Sequence, residues 1–284
     1  MLFIVGTIVV FGSVFGGYML AGGHMGVIWQ PFEFLIIFGA GIGGFVIGSG
    51  KTVISGVGGA FSTLLKGPAY GKDAYLEILG VLYTVFRLAK SKGDLALESH
   101  IENPESSDIF NKFPMFAGDH HALEFLCDYL RMLTLGTSSP HEIEALMEME
   151  LDVHHDEKHA ISSALQTLAD AFPALGIVAA VLGIIHTMGS ITEPPEVLGH
   201  LIGAALVGTF SGILISYGLM APIASSVGAS DAEDAHYLVC IKAGLIAHIQ
   251  GYAPQVSIEF SRKSMASNVR PSFAEVEDMI QNLK

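Results

Sequence analysis

Four stretches of this 284-residue chain contain no Asp, Glu, Lys or Arg: residues 1–24, 34–50, 172–191 and 197–221. The apolar core of a bilayer, about 30 Å thick, takes about 20 predominantly apolar residues in helical form. Inside that core every backbone amide and carbonyl must be paired within the segment or its neighbours, so helices are the expected conformation. The second stretch is at the short end of the range, and its Gly and other small residues compensate by letting helices pack closely. The fourth belongs to an uncharged run that reaches Ser230, and Pro222 is read as the residue that ends its helix. Composition agrees with a membrane protein: 51% of residues are hydrophobic and only 15% are charged, against about 25% in soluble domains. The first residues are apolar at once, without a basic leader, so they read as a span and not as a signal peptide.

Orientation follows from the cations. All 14 Lys and Arg lie within residues 51–158 or 242–284, and the loops 22–33 and 192–196 have none. Positive charge stays on the cytoplasmic side, so those two loops face outward and both termini face the cytoplasm. Trp29 in the first outer loop suits an interfacial anchor. The expected fold is an all-α integral membrane protein. Residues 1–50 hold spans one and two, and 51–169 form a helical cytoplasmic domain. Spans three and four occupy 170–222, and 223–284 form a cytoplasmic, helical C-terminal region. Helical periodicity supports this: Ile143, Leu146, Met147 and Leu151 recur among charges within 141–170, and 73–88 behaves similarly. Loop signals fall at Gly67-Pro68, Asn103-Pro104 and Gly136 to Pro140.

The chemistry on offer is sparse. A net charge of −14 excludes nucleic acid as a natural partner. Cys127 and Cys240 form no CxxC pair. Gly39-Ala-Gly41-Ile-Gly-Gly44 matches GxGxxG, but it lies inside an uncharged span with no acidic residue before Asp73, so helix packing is the better reading. Small-xxx-small pairs also occur at Gly12/Gly16, Gly39/Gly43, Gly44/Gly48 and Gly208/Gly212. Gly48-Ser-Gly-Lys51-Thr52 ends like a phosphate-binding loop, yet Phe45 stands where its first Gly must be. His154, His155 and His159 cluster among Asp152, Asp156 and Glu157; His155 and His159 have the spacing of helical metal ligands, but a solvated charged face is preferred. No catalytic residue, metal ligand or cofactor site is therefore expected, and the chain does not read as an enzyme.

Two intramembrane features remain. His186 is the strongly titratable side chain well inside a span. The spans offer hydroxyls, at Thr187, Thr209, Ser211, Ser216 and Tyr217, but no carboxylate. A chain that conducts ions with these spans would take its titrating carboxylate from a partner. Pro173 and Pro222 sit at the inner ends of spans three and four, where proline either punctuates a helix or gives it a hinge.

The segments Val14-Phe-Gly-Gly-Tyr18, Ile101-Glu-Asn-Pro104, Glu142-Ile-Glu-Ala-Leu146 and Pro173-Ala-Leu-Gly-Ile-Val-Ala-Ala-Val-Leu-Gly183 follow one another in this order. Leu206-Val-Gly-Thr-Phe210, Gly212-Ile-Leu214, Tyr217-Gly218, Pro222, Gly251-Tyr-Ala-Pro254, Glu259-Phe260, Arg262-Lys263 and Arg270-Pro-Ser-Phe273 come next. With the four-span topology, this series resembles the MotA family of bacterial flagellar-motor stator subunits, within the MotA/TolQ/ExbB proton-channel class, from end to end. The resemblance implies a homopentameric ring in the bacterial inner membrane around two copies of MotB. Each MotB would supply an ion-binding Asp. Inward ion flow would turn the ring and push the rotor protein FliG.

The resemblance also implies roles. Thr209 matches the hydroxyl facing the partner's Asp, and Ala180 and Tyr217 join it on the ion path. Pro173 and Pro222 match coupling hinges. Lys90 and Glu98 match a charged pair that meets the rotor. The basic residue is usually Arg in the family; Lys90 keeps the charge but loses the planar fork, and Arg87 and Lys92 stand close enough in sequence to share its task. Sodium-driven relatives carry Thr where Ala180 stands, so the apolar Ala179-Ala180 pair favours protons. The competing readings are an ExbB/TolQ-type motor subunit and a stand-alone secondary transporter. The first usually has three spans; the second would need a midplane substrate site.

Overall fold

A computed structural model describes residues 2–66, 70–136 and 139–283. The Gly67-Pro68 loop signal and part of the one at Gly136 to Pro140 fall outside them. The described residues contain helices and no strand. In chain order the α-helices are α1 (Leu2–Leu20), α2 (Met25–Ile28), α3 (Pro31–Gly48), α4 (Lys51–Lys66), α5 (Lys72–Lys92), α6 (Glu98–Glu102) and α7 (Pro114–Ala117). They continue with α8 (His120–Thr134), α9 (Pro140–Gly189), α10 (Pro195–Ile215), α11 (Ala221–Ile249), α12 (Pro254–Ser264) and α13 (Phe273–Asn282). Four helical stretches are long and apolar enough to cross a membrane: Leu2–Leu20, Met25–Gly48, Pro140–Gly189 and Pro195–Ile249. The chain divides into two compact units, one of residues 1–67 and 157–231, the other of residues 68–156 and 232–284.

The first unit has little core of its own. Ile37, Phe172, Ala179 and Ile215 form one buried cluster, and Leu165, Ile223, Ala224 and Val227 another. Helix α1 buries no residue. Leu20 and Ile47 are 92% and 90% exposed, which water would penalise and lipid tails accept. What joins α9 to α10 is close backbone approach. A Cβ placed on Gly176 would lie 2.7 Å from the Gly208 carbonyl oxygen, and one on Gly212 would lie 2.6 Å from that of Phe172. A Cβ on Gly183 would stand 2.8 Å from that of Ala205. Gly208 and Gly212 are one of the small-xxx-small pairs. The other three pairs, Gly12/Gly16, Gly39/Gly43 and Gly44/Gly48, have open space within the chain. In α3 it is Gly41 that packs, against Phe172, Leu168 and Leu175.

Both prolines depart from simple punctuation. Pro173 lies inside α9, which runs through it from Pro140 to Gly189. Because proline has no amide hydrogen, the carbonyl of buried Ala169 loses its helical donor there. Pro222 does not end its helix, although proline at that place could have punctuated it. Between α10 and α11 the residues Ser216–Met220 form a π-helical turn, and the Ala221 amide donates to the Ser216 carbonyl, five residues back. The wider turn makes room for a ring that would otherwise strike the carbonyl four residues before it, and the helix continues to Ile249.

The second unit is built as in a soluble protein. Ile78, Leu79, Leu82 and Phe86 of α5 meet Phe116, Leu126, Leu130, Ile143, Met147, Tyr237 and Ile241 in one core. Two of its helices, α8 and α13, are capped by side chains. Asp119 accepts from the Ala122 amide (3.1 Å), and Ser272 and Glu275 form a reciprocal capping box. Arg262, 8% exposed, is held by both oxygens of Glu259 (2.7 and 2.9 Å) and by the Pro271 carbonyl (3.1 Å). Asn103 ends α6 and Pro104 opens a 3-10 turn, as the loop signal there predicts.

Candidate functional site

In the first unit the expected site residues lie on α9 (Pro173, Ala180), α10 (Thr209), the π turn after it (Tyr217) and the start of α11 (Pro222). The Gly176 position faces the Thr209 backbone, with a Cβ-to-Cα separation of 3.3 Å, and Ala180 presents its amide nitrogen 3.2 Å from a Cβ on Gly208. Thr209 and Ala180 therefore belong to one seam. Ala180 is buried in it, which limits the size of any side chain there. Tyr217 is on the π turn and 67% exposed.

Hydroxyls in apolar surroundings usually donate to a carbonyl one turn back, because an unpaired one costs free energy. Thr7 does so to Phe3 (2.9 Å), Ser13 to Val9 (2.7 Å) and Thr187 to Gly183 (2.8 Å). Thr209 makes no such bond among the described residues, so its hydroxyl is unspent and only partly covered. Ser216, fully buried, is unpaired as well. His186, by contrast, is exposed on the outside of α9.

In the second unit the cations stand at the end of α5. Tyr83, Arg87, Lys90, Ser91, Pro254 and Gln255 line a shallow groove. The guanidinium of exposed Arg87 lies 5.7 Å from the centre of the Tyr83 ring. Lys90 Nζ donates to the Gly251 carbonyl (3.3 Å), tying α5 to the turn before α12. That turn needs its glycine, since Gly251 has φ +91°. Gly93, with φ +84°, ends α5, and exposed Glu98 starts α6 beyond it. His248 stacks on Phe86 at 4.4 Å; burial holds its imidazole below the ordinary range, with Lys90 pushing the same way and Asp94 opposing. The Lys90–Gly251 link was not legible: it joins residues 161 apart.

Other chemistry is weak. Burial pushes the Cys127 thiol up to about 12 and that of Cys240 to about 11, so neither is a thiolate near neutral pH. No group of three or more His, Cys, Asp or Glu converges on a metal position among the described residues.

Comparison with known proteins gives a consistent picture. Residues 4–93 match the model for the motility protein A N-terminal region, and residues 119–236 match the MotA/TolQ/ExbB proton channel family. Motility protein A of Salmonella typhimurium is 40% identical over 284 residues, covering all of this chain and 96% of that protein. The Escherichia coli protein of that name is 41% identical over the same shares. The chemotaxis protein LafT of Vibrio parahaemolyticus is 37% identical over 96% of this chain and 95% of its own. Among solved structures, C. jejuni MotAB superposes with a TM-score of 0.79 at 21% identity, over 95% of this chain and 98% of that one. The flagellar MotAB stator complex from Bacillus subtilis gives 0.71 at 25% identity, over 99% and 98%.

Proposed function

The chain belongs to the motility protein A family, and from that premise we propose how its residues divide the work of a flagellar-motor stator subunit. It is a membrane protein of the motor, in the proton channel class. Full-length similarity to motility proteins leaves the ExbB/TolQ-type and transporter readings without support.

Five copies surround two MotB chains in the inner membrane, with the termini, the segment 51–169 and the region 223–284 on the cytoplasmic side. The MotAB complexes among the structural relatives support MotB as the partner. One observation carries the reading: residues 1–24, 34–50, 172–191 and 197–221 hold no Asp, Glu, Lys or Arg, and the charges of the longer helices, such as Glu33 and Glu196, lie at or beyond the ends of these stretches, so a proton path through them takes its carboxylate from outside the chain. MotB supplies it. When that carboxylate takes a proton, it loses its charge and with it the strongest attraction to nearby dipoles. The unspent Thr209 hydroxyl donates to the charged form and releases the neutral one.

Ala180 keeps the path apolar beside Thr209, which suits protons over sodium, an ion that needs several oxygen ligands. Tyr217 adds a hydroxyl lower on α10's continuation. Pro173 and Pro222 bend α9 and the α10–α11 junction as the carboxylate changes state, because each removes an amide from the helical ladder. Arg87 and Lys90 offer cations, and Glu98 an anion, to FliG, so ring rotation is passed to the rotor.

The test is proton flux into vesicles holding the chain with MotB, alongside swimming speed. Thr209→Ala should lower both while leaving the ring assembled. Unchanged flux in assembled rings would remove Thr209 from the path.

A further inference from the structure

Helices α8 and α9 form an antiparallel hairpin within the second unit. Leu126, Leu130, Ile143 and Met147 fill it, and the Tyr129 hydroxyl donates to Glu150 (2.5 Å) across it. Farther from its bend a second polar contact crosses the hairpin. His121 Nε2 and His154 Nδ1 lie 3.1 Å apart, with ring centroids at 4.4 Å and a tilt of 42°. His121 is exposed and His154 half-buried, so solvent reaches the pair. His155 and His159 have helical-ligand spacing in sequence, on a stretch read as a solvated charged face; the close approach across the hairpin joins His121 and His154, 33 residues apart on two helices.

We propose that His121 and His154 form a two-histidine clip for a late first-row divalent cation such as Zn²⁺. Imidazole nitrogens bind such ions at about 2.0–2.1 Å, so two of them on one ion stand about 2.9 Å apart at a right angle and about 3.3 Å apart at the tetrahedral angle. The observed 3.1 Å lies between the two. The alternative use of the pair, a neutral hydrogen bond, requires one ring to donate and the other to accept. Moving the donor's proton to its other ring nitrogen leaves a lone pair on each of the two facing nitrogens, and a small turn of the rings then lets one cation take both. Water completes the coordination shell, as in a surface site with few protein ligands. Asp152, Asp156 and Glu157 flank His154 in sequence, and the chain carries a net charge of −14, so the surroundings attract a cation. Bound there, the ion cross-links α8 to the first turns of α9 and stabilises the folded hairpin by mass action.

The experiment uses the full chain purified with its membrane partner, stripped with chelator and titrated calorimetrically with ZnCl₂. One site per chain should appear. His121→Ala and His154→Ala should each weaken it at least tenfold, and His155→Ala and His159→Ala should leave it unchanged. His121→Asn, which keeps a hydrogen-bonding side chain, should lose the site too, separating ligation from helix pairing. Zn²⁺ should raise the Tm of the parent protein and not that of the His121 or His154 variants. Binding that survives both of those substitutions, or that disappears with His155 or His159, overturns the proposal. So does the absence of any saturable site.

Discussion

The two units of this chain solve the same problem, holding helices together, in opposite solvents. In the second, apolar side chains turn inward, and polar groups cap helix ends and pair at the surface, as water requires. In the first, large apolar side chains turn outward, and contact between α9 and α10 comes from the removal of side chains at Gly176, Gly183, Gly208 and Gly212. Lipid supplies no hydrophobic drive between helices, so close backbone approach and dispersion take over. The same residue types therefore mean different things in the two units. A leucine in the second is structural; a glycine in the first is.

The comparison is broken most severely by adding atoms to the seam. Gly212→Val places a branched side chain where a single Cβ already meets the Phe172 carbonyl oxygen at 2.6 Å. Backbone cannot yield there as a flexible side chain would. Loss of the assembled complex on size-exclusion chromatography, and of motility, is the expected result. Gly43→Ala, in open space within the chain, is the control. If both variants assemble alike, the seam does not hold α9 to α10.

The converse is removal of atoms in the second unit. Phe86 is fully buried and stacks on His248. Phe86→Ala should cost about 3–5 kcal/mol, read as a lower Tm of the purified complex. A cost below about 1 kcal/mol would mean that this core is loosely packed.

Sequence alone made the spans legible because a bilayer tolerates almost no charge, and charge is written directly in the residues. It also carried the helical character of α5 and α9, through apolar spacing. It could not say which glycines touch, since Gly39/Gly43 and Gly208/Gly212 have identical spacing and only the second pair meets a neighbour. Whether Pro222 stops its helix or is absorbed by it was not legible for a related reason. Hydropathy and proline content predict a helix end, but a one-residue change of register at Ser216–Met220 absorbs the ring, and nothing local announces it. The capping box was available, as Ser272 followed three residues later by Glu275. The contacts of His121 with His154 and of Lys90 with Gly251 were not, because they depend on how distant segments fold together.

Smaller effects belong to the charged edge of α5. Lys90 spends its ammonium on the Gly251 carbonyl, whereas the exposed Arg87 guanidinium rests over Tyr83. Arg87→Ala should therefore weaken rotor engagement by about 1 kcal/mol, about fivefold in affinity. Lys90→Arg, which keeps the charge and adds the planar fork, should change proton flux little. A Lys90→Ala variant that lowers torque while Arg87→Ala has no effect would reverse this division between the two cations.

The smallest expected effect tests whether surface pairing in the second unit matters at all. Lys72 Nζ lies 2.6 Å from Glu275, joining α5 to α13. Hydrogen bonds from Lys72 and from the Ser272 amide hold the Glu275 carboxyl down to about 2, below its ordinary 4.5. The folded pKa is depressed, so this contribution is present above about pH 4.5 and is lost as pH falls toward about 2. Both side chains are more than 40% exposed, so solvent and salt screen the pair and its worth is small. Glu275→Gln keeps the shape but not the charge. Its Tm should lie slightly below the parent's at neutral pH, and the gap should narrow on acidification and on adding salt. A gap unchanged by either condition would show that the neutral hydrogen bonds of the cap, and not the charge, hold α13 in place.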